Sequence, residues 1–195
     1  MALGTVTASY ELRFDTGRVC LDLLATTHPG ERLGSVDALR AWITGAGLVP
    51  EGTPLAHADP SWLDAFRELR AYLVPLVRAP GFPSEGPALS RVNDLARSAP
   101  PAPRAVPGAD GTLVRRLDGP PGRDALIGAV ARDAVDLLTD PAARASLRQC
   151  EGDNCPIVYV DASRGRRRRW CSSEICGNRE RVARHRRRTA ALTRA

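Results

Sequence analysis

At 195 residues with 43% hydrophobic content, the chain has material for one substantial domain, or one domain with a small appended module. No apolar run approaches the ~18 residues of a membrane span, and the start, Met1-Ala-Leu-Gly-Thr-Val, lacks the basic and apolar regions of a secretory signal, so a cytoplasmic protein with no membrane partner is expected. The net charge of +6 is unevenly spread: residues 150–195 hold 12 Arg against 5 acidic residues, and residues 1–149 hold 16 Arg against 17. A segregated basic end of this kind points to nucleic acid. All 28 basic side chains are arginine, the better fork for phosphate and guanine. Total absence of lysine also reflects a GC-rich coding bias, so the cluster carries more weight than any single arginine.

In chain order, Tyr10–Asp15 alternates as a short strand does, and the apolar run Val19–Thr27 predicts a buried helix with Asp15 or Thr16 near its N-cap. Cys20 falls in that run and reads as a packed core thiol. Ser35 caps a helix carrying Val36, Leu39, Trp42 and Ile43, ended by Gly45 or Gly47. Asp59-Pro60 opens a longer helix with Trp62, Leu63, Phe66, Leu69, Leu73 and Leu76 on one stripe, and a kink or end near Pro75. Beyond the Pro/Gly-rich joint 79–87, Leu89, Val92, Leu95 and Ala96 suggest a short helix. A hairpin follows, with strands near 104–106 and 112–117 around Gly108-Ala-Asp-Gly111. Residues 123–138 form an amphipathic helix closed by Pro141, and Leu147-Arg-Gln runs directly into Cys150 with no long linker.

Four of the five cysteines fall within 27 residues, as two Cys-x4-Cys pairs: Cys150/Cys155 and Cys171/Cys176. In a reducing compartment such clusters read as metal ligands rather than disulfides. Four soft donors converging on one point suit a structural Zn²⁺; four reduced, incidental thiols are the bland alternative. Between the pairs, Ile157–Val160 predicts a strand, Ala162–Gly165 a turn, and Arg166–Trp170 the returning strand. The second pair then opens a basic helix, with Ser172 or Ser173 as cap and Ile175, Val182 and Leu192 on its inner face. The fold class is α+β: a mostly helical N-terminal domain with a short hairpin (1–147), then a treble-clef or zinc-ribbon-like finger (148–195). Arg164 and Arg166, Arg167, Arg168 and Arg169 are candidates for the nucleic-acid backbone. Arg179, Arg181, Arg184, Arg186, Arg187 and Arg188 on the helix are candidates for groove or backbone. Asn178 and Arg179 either read bases or hold the metal knuckle; Trp170 and Tyr159 either stack on bases or pack beneath the finger.

Arg168-Arg-Trp-Cys-Ser172, Cys176-Gly-Asn-Arg179 and the basic helix after them resemble the CGNR zinc finger, and Val160-Asp-Ala-Ser-Arg164 resembles the segment before it. Ser173 stands where a Met is common and Arg181 where a Lys is common. Leu21-Asp-Leu-Leu-Ala-Thr26 and Leu39-Arg-Ala-Trp-Ile43 with Gly47-Leu48 resemble the ABATE domain that precedes this finger, with Ala25 in place of its usual Asn. The resemblance implies a bacterial, often stress-linked transcription regulator that works at the nucleoid. Its finger would bind DNA, while the resemblance assigns no settled activity to the N-terminal domain, which is expected here to sense a small-molecule effector or form a homodimer. An RNA- or protein-binding adaptor is the alternative. An enzyme is not expected, because no G-x-S-x-G, P-loop or H-E-x-x-H is present and only His28, His57 and His185 occur.

Overall fold

The computed structural model describes residues 12–78 and 85–192, with backbone alone at 188 and 190–192. The elements run α1 (Val19–Ala25), α2 (Val36–Gly45), α3 (Pro60–Arg78), α4 (Pro87–Leu95), β1 (Pro103–Pro107), β2 (Leu113–Leu117), α5 (Arg123–Thr139), α6 (Pro141–Ala145), β3 (Leu147–Gln149), β4 (Val158–Val160) and α7 (Asn178–Leu192). A π-helical turn, Ser173–Gly177, leads into α7. The strands form two antiparallel pairs, β1 with β2 and β3 with β4.

The short helix α1 is the axis of the N-terminal part. Cys20 through Ala25 are all buried, and the helix packs on α3, α5 and β4. Leu39, Trp42, Phe66, Leu69, Leu73, Val92, Leu126 and Val130 fill the core around it. Trp42 meets Phe66 edge-on at 5.6 Å. In α2, α3, α4 and α5 the stripe read from periodicity is the face turned to the core. Cys20 is a core thiol with no exposure.

The N-cap of α1 is not Asp15 or Thr16. Asp133 on α5 takes that place, accepting from the Cys20 N–H at 2.9 Å and pairing with Arg18 at 2.9 Å. Thr16 instead donates its hydroxyl and N–H to the buried Asp22, at 2.8 and 3.2 Å. At the other end of α1, Thr26 accepts from Arg70 at 2.6 Å. Arg70 is itself buried and grips Glu31 with both terminal nitrogens, at 2.9 and 2.5 Å. A buried guanidinium is tolerable because every donor that points inward meets an oxygen.

Ser35 caps α2 and Asp59 caps α3 as expected, accepting from Ala38 N and from Ser61 N. α3 runs through Pro75 to Arg78, so of the kink or end expected at Pro75 the end does not occur. Pro141 begins a further helical turn, capped by Asp140, instead of only closing α5. Residues 12–15 form no strand, and the rest of that expected strand, Tyr10 and Glu11, lies outside the described residues. The hairpin at 103–117 is present, its register pairing Arg104 with Arg116.

Candidate metal centre and basic helix

The finger is built on a different hairpin from the one expected. β4 pairs with β3, Leu147 opposite Val160 and Gln149 opposite Val158, so Leu147–Gln149 is a strand and Arg166–Trp170 is not. The Cys150–Cys155 loop therefore sits at the tip of this hairpin. Strand alternation divides β4 between two environments. Val158 and Val160 pack toward the helical core, while Tyr159, fully buried, faces the cysteines. Asp161 closes the following turn, its carboxylate accepting from Ser163 N at 2.9 Å and Arg168 N at 3.0 Å.

All four cysteines are buried, and their sulfurs lie within 4.8 Å of one another. Cys171 Sγ is 3.6 Å from both Cys155 Sγ and Cys176 Sγ. A tetrahedron with Zn–S bonds of 2.3 Å has edges of about 3.8 Å, so the set has the size of a zinc site. Cys150 Sγ accepts from Cys171 N at 3.3 Å and Gly152 N at 3.4 Å, which fix the orientation of that sulfur. Burial and the adjacent Cys171 push Cys176 up to about 11, and Cys155 and burial push Cys171 up as well. Several thiolates in so small a space need a cation among them. This is a four-cysteine metal site.

Two residues that make the first loop possible carried no motif signal. Asn154 adopts φ +56°, in the left-handed region that Asn tolerates better than most residues. A Cβ at Gly152 would lie 3.2 Å from Cys176 Cβ and 3.4 Å from Cys150 Sγ, so a side chain there presses on the ligands. In the second pair, Ser172 caps the π turn by accepting from Ile175 N at 3.3 Å.

The metal module is locked onto the helical part. Val160 N donates to Thr16 O at 2.8 Å, and Arg78 reaches Pro156 O at 3.1 Å. Ala25, at the end of α1, packs directly among the cysteines. Arg13 donates to Cys171 Sγ at 3.2 Å while its other nitrogen holds Asp15 at 2.8 Å. Arg168 answers from the finger: it lies over the Tyr159 ring at 4.5 Å, bonds Trp170 O and Cys171 O, and reaches Asp15 O at 3.0 Å. Burial, and after it the charges of Arg179 and Arg13, hold the His28 imidazole below its ordinary range.

A family model described as "Putative stress-induced transcription regulator", ABATE, matches residues 17–141. The chain belongs to the ABATE family. A second model, the CGNR zinc finger, matches residues 146–189, which contain all four cysteines and most of α7. No match to a curated protein was found.

Within the CGNR finger the named tetrapeptide divides its work. Cys176 is a ligand, whereas a Cβ at Gly177 would meet nothing closer than 3.4 Å. Asn178 is exposed, and its side-chain amide has no hydrogen bond among the described residues, so the expected role in holding the knuckle has no contact to carry it. Trp170 is half-buried against the cysteine cluster with Arg169 over its ring at 5.3 Å.

The arginines fall into three groups. Arg168 is spent on the internal bonds above. Arg169 pairs with Glu151 at 2.6 Å, Arg187 with Glu180 at 2.7 Å, and Arg181 donates to Ser173 O at 3.3 Å, all on the surface. Arg164, Arg166, Arg167, Arg179, Arg184 and Arg186 are exposed and form no ion pair among the described residues. The side chain of Arg188 lies outside those described. Among the described residues the expected inner face of α7 is not buried: Ile175 and Val182 are 43% and 40% exposed, α7 buries none of its described side chains, and the side chain of Leu192 lies outside those described. Among the described helices and strands, it packs closely only on the π turn that precedes it.

Proposed function

We propose that this ABATE–CGNR protein is a bacterial DNA-binding transcription regulator. In this reading a structural Zn²⁺, held by Cys150, Cys155, Cys171 and Cys176, fixes the base of an arginine-rich helix that engages duplex DNA. The observation that carries it is the state of α7, with six arginines and one glutamate in 15 residues and no described side chain buried. Such a helix gains little from packing, and its like-charged neighbours three and four residues apart weaken it. A polyanion relieves that repulsion. The loop arginines Arg164, Arg166 and Arg167 extend the positive surface beside it.

The protein acts by binding rather than by catalysis. Four thiolates complete a tetrahedral shell and leave no open position for a substrate. Four cysteines held as metal ligands rather than disulfides support a cytoplasmic location, and DNA as partner would put the protein at the nucleoid. A cavity of about 390 Å³ between the α2–α3 connection and β2, lined by Glu51, Thr53, His57, Arg116 and Leu117, is of the size that takes small molecules and supports an effector site in the N-terminal domain.

A competition titration tests the reading. Zinc-loaded protein bound to a labelled duplex of mixed sequence is challenged with unlabelled duplex or with unlabelled RNA of equal length. Duplex DNA is expected to compete at least ten-fold better. Preferential displacement by RNA would replace the DNA regulator with an RNA-binding adaptor.

A further inference from the structure

The surface of α7 is not uniformly basic. At 3.6 residues per turn, Asn178, Val182, His185 and Thr189 fall in one line along the helix, at steps of four, three and four. Arg179 and Arg186 form a row on one side of that line, and Arg181 and Arg184 a row on the other. The only ion pair within α7 among the described residues, Glu180 with Arg187, lies on the opposite face. Asn178, Val182 and His185 are all exposed. Val182 is one of only four large apolar side chains exposed among the described residues. A second, Ile175, sits in the π turn at the same end of the helix.

A helix in the major groove needs this division. Base edges are read by short polar and apolar groups along its centre, and phosphates on either side are met by cations. α7 is about 22 Å long and ~10–12 Å across, against a groove about 12 Å wide. Its N-terminal turns, where recognition helices usually contact bases, are also the turns the cysteine cluster holds in place.

We propose that α7 is a recognition helix whose stripe of Asn178, Val182 and His185 reads base edges in the major groove, with the flanking arginines on the phosphates. The inference rests on the DNA-binding reading above and adds the residues that set sequence preference. Asn178 suits the N6/N7 edge of adenine, and the Val182 methyls suit the 5-methyl of thymine. The two positions are separated by about 6 Å along the helix, or roughly two base steps, so their targets should lie within two base pairs of each other.

Selection from a random duplex library, using the full zinc-loaded chain, supplies the test. Wild type is expected to enrich a site containing adenine and thymine at that spacing. Asn178→Ala should reduce the ratio of affinities for that site and a scrambled duplex about ten-fold. Replacing the contacted thymine by deoxyuracil should weaken wild type about three- to ten-fold and leave Val182→Ala unaffected. Zinc content, measured in parallel, should match wild type in every variant. If wild type binds duplex but enriches no site, or if the variants keep its site and ratio, the stripe does not read bases, though DNA binding stands. If wild type binds no duplex at any salt concentration, the DNA-binding reading falls and this inference with it.

Discussion

The guanidinium of Arg13 joins an ordinary surface carboxylate, Asp15, to a metal-site sulfur, Cys171. A cationic donor to a thiolate stabilises the charged form the metal requires and fixes the orientation of the sulfur. Arg13→Ala should therefore lower zinc affinity about ten-fold in competition with a chromophoric chelator, and Arg13→Lys should restore part of the loss. Equal affinities in all three proteins would show that this bond does not act on the metal. Asp22 makes a second residue-scale prediction. Burial raises its carboxyl from 3.8 to about 6, partly opposed by the two bonds from Thr16. The folded state thus holds that proton more tightly than the unfolded chain. Stability due to Asp22 is complete below about pH 4 and is lost as pH rises through 6, where the ionised form costs about 3 kcal/mol. Asp22→Asn should raise the Tm by several degrees at pH 7.5, with the gain shrinking toward pH 4.5. A gain of the same size at both pH values would contradict the account.

Among elements, the β3–β4 hairpin and the two cysteine loops decide the finger. Gly152 and Gly177 separate what the motif names from what the geometry needs. Gly152→Val should release zinc faster to a chelator and lower the stability of the finger, because even its Cβ would lie 3.2 Å from that of Cys176. Gly177→Ala should retain full zinc and change stability by no more than about 1 kcal/mol, since only ordinary contacts await its methyl. If Gly177→Ala loses zinc and Gly152→Val does not, the geometric assignment is wrong. The same contrast explains how much was legible in the sequence. Ser35, Asp59-Pro60, the helical stripes and the two Cys-x4-Cys pairs act over a few residues, so their spacing alone locates α2, α3, α5 and the metal ligands. The pairing of β4 with β3 is not legible in the sequence because Leu147–Gln149 is only three residues long and shows no alternation, whereas Arg166–Trp170 follows a turn as a return strand would. Pro75 did not end α3 because the apolar positions Leu73, Leu76 and Val77 stay buried on the core side of the same helix. Arg13 was invisible as a partner of Cys171, since the two lie 158 residues apart. Arg168 looked like its neighbours in a run of four, and only packing on Tyr159 distinguishes it.

Across the whole molecule, the finger is rooted rather than tethered. Ala25 among the cysteines, Val160 on Thr16, Arg78 on Pro156 and Arg168 on Asp15 give it attachments along α1, α3 and the segment before α1. The Asn that is common in the family at position 25 is replaced here by a side chain that packs against the metal site. Beyond this root, α7 stands in solvent with its described arginines exposed. The molecule thus divides into a packed, nearly neutral body and a projecting basic helix, with the metal site at the junction. The salt dependence of duplex binding tests this division most directly. With log Kd followed against log salt, wild type should show a slope of magnitude about 3 or more, at roughly 0.9 per phosphate neutralised. Arg184→Ala with Arg186→Ala should reduce that magnitude by about 2 at unchanged zinc content. A shallow slope, or one identical in the double variant, would contradict the claim that the zinc-held helix carries the DNA contact.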